Sequence, residues 1–152
     1  MQLTPHFTLA ELTRSNTAAK LGLDNTPTPE ALQHLQRTAQ MLERVRTALG
    51  DKPIIITSGY RNRAVNAAVG GVTSSDHMQG MAADIACPKY GTPHDIAKAL
   101  APLISTLGIG QVIYESVGGS RWVHVSTRIP AQAVNRVITQ HDRSTLVGIQ
   151  QV

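Results

Sequence analysis

The sequence contains very few cysteine and aromatic residues. Its single cysteine, Cys87, excludes an internal disulfide and leaves the cellular compartment open. Because no second cysteine accompanies it, Cys87 is interpreted as a buried thiol rather than a metal ligand. The aromatic residues are one tryptophan, one phenylalanine and three tyrosines, so a core must rely on Leu, Ile, Val and Ala. At 152 residues the chain is long enough to bury such a core as one domain, residues 1–152.

Long apolar runs and runs of like charge are also missing. No stretch approaches 18 consecutive apolar residues, so the sequence predicts no membrane span. The opening MQLTPHFTLAELTRS has no basic region followed by an apolar segment, and we therefore expect no signal peptide. The net charge of +4 suits a polyanionic partner. The basic residues are scattered without interleaved aromatics, however, and we expect no nucleic-acid partner.

Capping signals and hydrophobic periodicity predict a mixture of helices and strands. Residues 1–28 are interpreted as an N-terminal arm with one short helical turn, capped by Thr8 and Glu11, followed by loop. The strongest helix prediction is Pro29–Leu49, with Thr28 as its N-cap. Further elements are a helix after Thr92, a short helical piece at RAVNAAV, and strands at IIITS, MAADIA, GQVIYES, RWVHVS and RVIT. This order predicts an α+β fold with a small, largely antiparallel sheet and helices packed on it.

Three polar residues occupy positions where a fold could bring them together. His77 lies in a glycine-flanked loop, and Asp84 follows seven positions later on a strand with small alanine neighbours. A buried carboxylate is costly unless it is paired or bound to a metal. In WVHVS, alternation points His124 away from the apolar face of Val123 and Val125. Two imidazoles and a carboxylate can bind zinc and leave a position open for water, but spacing alone leaves ordinary hydrogen-bonded side chains as an equal alternative.

The motifs SGYR, VN, VGG, SDHMQGMAADI and WVHVS extend over nearly the whole chain. They resemble zinc D-alanyl-D-alanine carboxypeptidases and related L-alanyl-D-glutamate peptidases, a family that includes bacteriophage endolysins and virion-associated enzymes. The resemblance implies a hedgehog/D-Ala-D-Ala-peptidase-like fold and one zinc ion per chain, with His77, Asp84 and His124 as its ligands. It also implies that Arg61 binds a substrate carboxylate, for which a guanidinium offers paired donors. Ser75 is expected to form a hydrogen bond within the site.

The general base is where the sequence departs from this resemblance. Several family members carry an acidic residue three positions before the last histidine ligand, but this chain has Arg121 there, which cannot accept a proton. The nearest acid is Glu115. If VIYE and WVHV form a hairpin that pairs Glu115 with Trp122, Glu115 and His124 share one face as diagonal neighbours. A slip of one residue would reverse the face of Glu115. We therefore expect Glu115 to be the base, while Trp122 either lines the substrate cleft or simply packs.

These residues predict a zinc metallopeptidase that hydrolyses peptidoglycan stem peptides and takes part in cell-wall lysis or remodelling. D-Ala-D-Ala carboxypeptidase and L-Ala-D-Glu endopeptidase activity both fit the same ligands. The alternative, which Arg121 motivates, is a non-catalytic wall-binding or virion structural module on the same fold. We expect a monomer of phage or bacterial origin. We expect it to be made in the cytoplasm and to reach the wall through a holin, a virion or another export route.

Overall fold

Eight strands form two sheets of unequal size. The structure, a computed structural model, describes all 152 residues of the chain. Numbered along the chain, the strands are β1 (Gln2–Thr4), β2 (Phe7–Thr8), β3 (Ile55–Ser58), β4 (Ala82–Ala86), β5 (Gln111–Val117), β6 (Ser120–Ser126), β7 (Val137–His141) and β8 (Ser144–Val147). The first two pair only with each other, and the other six form the main sheet in the order β3-β4-β6-β5-β7-β8. Every pairing in the main sheet is antiparallel except that of β5 with β7. The predicted α+β class with a largely antiparallel sheet is confirmed.

Five α-helices accompany these sheets. They are α1 (Leu9–Thr13), α2 (Asn16–Leu21), α3 (Pro29–Ala48), α4 (Arg63–Ala68) and α5 (Pro93–Leu100). The predicted start of α3 is confirmed, since the Thr28 hydroxyl accepts a hydrogen bond from the Ala31 N–H at 3.1 Å and Pro29 fills the first helical position. Short 3-10 turns occur at Asp76–Gln79, Ala101–Leu103 and Ala133–Arg136. None of the helices combines the length and apolarity needed to cross a membrane.

The core lies between α3 and one face of the main sheet. Leu35, Leu42 and Val45, from the apolar stripe of α3, are fully buried in one hydrophobic cluster with Ile85 of β4 and Val123 of β6. Because side chains alternate along a strand, Asp84 of β4 and His124 of β6 face away from the core. The opposite face of these two strands is free to carry polar side chains.

The interpretation of residues 1–28 as an arm with one helical turn was incomplete. The Thr8–Glu11 capping box of α1 is confirmed, but the segment also contains the β1–β2 pair and α2. The six residues of α2 are too few for hydrophobic periodicity to indicate a helix. Phe7 and Leu12 from this segment are buried in the main core, so the arm is an integral part of the packing.

The arm approaches the SGYR segment very closely at Gly59. The Tyr60 N–H donates to the Leu12 carbonyl oxygen at 2.7 Å. A Cβ atom added at Gly59 would lie 2.2 Å from that same oxygen, so only glycine fits here without a backbone shift.

We expect Gly59→Ala to lower the free energy of unfolding by about 1–3 kcal/mol, the usual cost of overpacking a close contact. Gly119→Ala is the matched control, since a Cβ at Gly119 meets nothing within 4 Å. Chemical denaturation of both variants measures the difference. Equal stability of the two variants would contradict a tight contact at Gly59.

Candidate active site

A histidine–aspartate–histidine group lies on the polar face of the central strands. Asp84 on β4 pairs directly with His124 on β6, and the 3-10 turn at Asp76–Gln79 carries His77. The Oδ1 atom of Asp84 is 3.2 Å from His77 Nε2 and 3.2 Å from His124 Nδ1. The three potential ligand atoms all lie within 4.8 Å of one another. The structure thus brings together the three residues that the sequence singles out as a metal-binding group.

A backbone hydrogen bond fixes which nitrogen of His77 faces this group. His77 Nδ1 is 2.7 Å from the Gly59 carbonyl oxygen, and because that oxygen can only accept, Nδ1 carries the proton. In a neutral imidazole Nε2 is then an acceptor, and it faces the acceptor oxygen of Asp84 at 3.2 Å. Two facing acceptors require a proton or a cation between them. Support of the second ring nitrogen by a carbonyl is typical of metal-binding histidines.

Two of the three separations between the potential ligand atoms are close to those in a tetrahedral zinc site. Bonds of about 2.0–2.1 Å at tetrahedral angles separate neighbouring ligand atoms by roughly 3.4 Å, close to the two 3.2 Å separations around Asp84. Imidazole nitrogen and carboxylate oxygen are both ordinary zinc donors, and three protein ligands leave the fourth position open.

Burial and mutual attraction determine the charges within the group. Burial by itself raises the pKa of Asp84, but the contacts with His124 and His77 outweigh it and hold the pKa of that carboxyl well below its usual range. Burial lowers the pKa of His124, yet the adjacent carboxylate of Asp84 reverses this effect and leaves the pKa above its ordinary value. The group therefore holds a buried negative charge that attracts a positive species.

Glu115 lies beside the group because β5 and β6 pair in the register that the sequence predicts. Glu115 is opposite Trp122, and Ile113 is opposite His124, so Glu115 and His124 are diagonal neighbours on one face. The indole Nε1–H of Trp122 donates to Glu115 Oε2 at 2.9 Å. Burial, followed by the negative charge of Asp84, raises the pKa of Glu115, although His124 and the Trp122 hydrogen bond partly offset the rise.

Arg61 is held by three side-chain oxygens. Its Nε, Nη1 and Nη2 donate to Asn66 Oδ1, Ser58 Oγ and Ser75 Oγ at 3.2, 3.2 and 3.3 Å. Burial lowers the pKa of Arg61, and the charges of Asp84 and Glu115 act in the opposite direction. A guanidinium has five N–H donors, so these three hydrogen bonds leave donors for a ligand.

The histidine–aspartate–histidine group, Glu115 and Arg61 line one cleft. Its volume is about 480 Å³, and the hydrophobic residues among the fifteen that line it are Val72, Ile113 and Trp122. A wall of this polarity suits a charged or polar ligand better than an apolar one. Trp122 therefore does line the cleft, and its indole also fixes Glu115.

Arg121 takes no part in the cleft. Strand alternation puts it on the face opposite to Trp122 and His124. Its guanidinium donates to the carbonyl oxygens of Val152, Gly118 and Ser120 at 3.1–3.2 Å. Arg121, which stands three positions before His124, thus fastens the hairpin turn to Val152.

Sequence reasoning missed a second polar network in the cleft. The buried carboxylate of Asp76 accepts hydrogen bonds from Ser126 Oγ at 2.8 Å and from Arg128 Nε at 2.5 Å. Alternation in WVHVS already put Ser126 on the face of His124. Asp76 lies inside the SDHMQGMAADI motif but was given no role, and no motif or periodicity indicated Arg128. Because Asp76 precedes His77, this network fixes the turn that carries His77.

Comparison with known proteins identifies the family. A family model described as Peptidase M15 matches residues 5–126, a span that includes the whole histidine–aspartate–histidine group. The chain belongs to the peptidase M15 family. This M15 chain is also similar to the zinc D-Ala-D-Ala carboxypeptidase of Streptomyces albus G, with 38% identity over 86 residues. The matched part is 57% of this chain and 33% of that relative, so the chain spans about a third of the length of the curated relative.

We expect the purified M15 chain to bind about one zinc ion, and His77→Ala to abolish this binding at micromolar zinc because it removes one of three ligands. His141→Ala, a histidine outside the group, is the control and should bind zinc like the parent protein. Elemental analysis and competition with a chromophoric chelator measure the stoichiometry and the affinity. Unchanged zinc affinity in His77→Ala would show that the ion binds elsewhere.

Proposed function

We propose that this M15 peptidase is a zinc-dependent enzyme that hydrolyses the stem peptides of peptidoglycan. The observation that carries the proposal is the grouping of His77, Asp84 and His124 with Glu115 and Arg61 in one polar cleft. Membership of the M15 family and similarity to a protein named as a zinc D-Ala-D-Ala carboxypeptidase support the reaction class and the substrate. The site of action is the bacterial cell wall, where the enzyme lyses or remodels it.

His77, Asp84 and His124 would hold the zinc ion. When bound, zinc supplies a Lewis acid that polarises the scissile carbonyl and lowers the pKa of water towards about 7. Asp84 contributes the negative charge among the three ligands. The Gly59 carbonyl keeps the His77 ring in the orientation that presents Nε2.

Glu115 acts as the proton carrier of the reaction. Its carboxylate takes the proton from the attacking water and returns it to the leaving amine. The raised pKa of Glu115 favours the first step, because a carboxylate with a higher pKa is a stronger base. Trp122 holds the carboxylate through its indole N–H at 2.9 Å, so the base remains oriented when the substrate is absent.

Arg61 holds a carboxylate of the stem peptide and so keeps the scissile bond near the zinc-binding group. Ser75 and Ser58 fix the guanidinium, and Trp122 forms part of the wall that the peptide contacts. Cleavage of D-Ala-D-Ala and cleavage of L-Ala-D-Glu both use this arrangement. The two differ in how much peptide lies beyond the scissile bond, and product analysis by mass spectrometry with a defined muropeptide distinguishes them.

We expect Glu115→Gln to reduce kcat on a defined muropeptide by about 10²–10⁴-fold, the usual contribution of a general base. The amide keeps an oxygen for the Trp122 N–H, so zinc content and stability should remain near those of the parent protein. Glu30→Gln, which changes an exposed glutamate of α3, is the control. Unchanged kcat in Glu115→Gln would remove Glu115 from the mechanism. If the zinc-loaded parent protein binds peptidoglycan but hydrolyses none, the non-catalytic wall-binding alternative is correct instead.

We expect Arg61→Lys to raise KM by about tenfold or more with a smaller effect on kcat. Lysine keeps the charge, but it lacks the planar pair of donors that matches a carboxylate. Arg63→Lys is the matched control, since Arg63 lies two residues further on, is exposed and has no side-chain hydrogen bond. Steady-state kinetics on the same muropeptide measure both variants, and an equal KM in the two would rule out carboxylate binding by Arg61.

A further inference from the structure

A second arginine lines the cleft and has no role in the mechanism described above. Arg128 follows β6 and lies two residues after Ser126. Its side chain is 49% exposed, and it borders the same cavity as Arg61 and the zinc-binding group.

The buried acid Asp76 orients this arginine. Arg128 Nε donates to Asp76 Oδ1 at 2.5 Å, and the Arg128 backbone N–H donates to Ser126 Oγ at 3.1 Å. Ser126 Oγ in turn donates to the other oxygen of Asp76 at 2.8 Å. The side chain of Asp76 is 6% exposed. A partly exposed arginine is therefore fixed from beneath by a buried network rather than left free in solvent.

One edge of the Arg128 guanidinium remains free. The contact with Asp76 uses Nε alone, and neither Nη atom has a hydrogen-bond partner in the protein. The two Nη atoms form a planar pair of donors that matches the two oxygens of a carboxylate. Both oxygens of Asp76 are already occupied, so they do not compete for this edge.

The sheet topology brings Arg61 and Arg128 to the same end of the strands. β3 and β6 are both antiparallel to β4, which lies between them, so they run in the same direction and leave the sheet at the same end. Two consecutive residues just before His77 contact the two arginines. Ser75 accepts a hydrogen bond from Arg61, and Asp76 accepts one from Arg128. A peptide that crosses the zinc-binding group at this end meets both guanidinium groups.

We propose that Arg128 binds a second carboxylate of the substrate, so that the cleft selects peptides with two carboxylates. This inference rests on the proposed function, in which Arg61 binds the first. Stem peptides meet the requirement chemically, because a γ-linked D-glutamate keeps its α-carboxylate and the chain end supplies another. If Arg128 serves only to fix Asp76, the second carboxylate contributes nothing to binding.

The test measures binding without turnover, in zinc-loaded protein that carries Glu115→Gln. Trp122 is the only tryptophan and lines the cleft, so its fluorescence reports binding. The probes are L-Ala-γ-D-Glu-L-Lys-D-Ala-D-Ala and two versions of it, one amidated at the D-Glu α-carboxylate and one at the C-terminus. Each is titrated against the Glu115→Gln protein, which is the parent in this test. The same titrations are made after adding Arg128→Gln, Arg128→Lys or the control Arg143→Gln, whose arginine is exposed on the β7–β8 turn.

We expect each amidation to weaken binding to the parent protein by about tenfold, the worth of a charge-assisted hydrogen bond. One of the two amidations should have less than about a twofold effect in Arg128→Gln, whereas Arg143→Gln should respond like the parent. In Arg128→Lys the loss of affinity on that amidation should lie between the losses in the parent and in Arg128→Gln. This variant provides the test if Arg128→Gln is unstable. Equal amidation effects with and without Arg128, or no effect of either amidation, would overturn the proposal. Failure of the protein with Glu115 intact to hydrolyse the peptide would contradict the proposed function alone, since binding is measured independently in the Glu115→Gln protein.

Discussion

The structure of the site depends on the burial of one carboxylate. Asp84 is 13% exposed and lies on a central strand, where an isolated negative charge would be very costly. The two imidazoles at 3.2 Å offset this cost only if a proton or a cation occupies the space between them and the carboxylate. The fold must therefore keep β4, β6 and the 3-10 turn in a fixed relation. The remaining polar contacts of the cleft, from the Gly59 carbonyl to the Asp76 network, restrain those three elements.

Residues whose surroundings are local could be predicted from the sequence. The start of α3 follows from Thr28 and Pro29, and the face of His124 follows from strand alternation. The β5–β6 register was left open by the sequence, because a slip of one residue would reverse the face of Glu115, and the structure pairs Glu115 with Trp122. Arg128 could not be predicted in this way. It lies beyond the end of β6 in an irregular segment, and its partner Asp76 is 52 residues away in the sequence, so neither periodicity nor spacing connects them.

The arm shows a different limit of sequence reasoning. Its elements are too short to give a periodic signal, yet their contacts reach the site. The Asn25 side-chain amide N–H donates to the carbonyl oxygens of Thr13 and Tyr60 at 2.8 and 2.9 Å, and its oxygen accepts from the Asn62 N–H at 2.9 Å. The backbone on both sides of Arg61 is therefore fastened to the arm. Asn25 thus helps to position the Arg61 guanidinium, and only the tertiary structure reveals this role.

The order of groups along the strands gives the cleft a direction. Asp84 and His124 form one row across β4 and β6, Glu115 and Trp122 lie one row towards one end of the sheet, and Ser126 lies one row towards the other. Two residues of a strand span about 6.6 Å, so Glu115 and the network that holds Arg128 are separated by roughly 13 Å along the strands. In the proposed reaction, proton transfer takes place on one side of the row of Asp84 and His124, and carboxylate binding by Arg128 takes place on the other. In this proposal a substrate anchored by Arg128 extends its scissile bond towards Glu115, and reversing the peptide would move its second carboxylate away from Arg128.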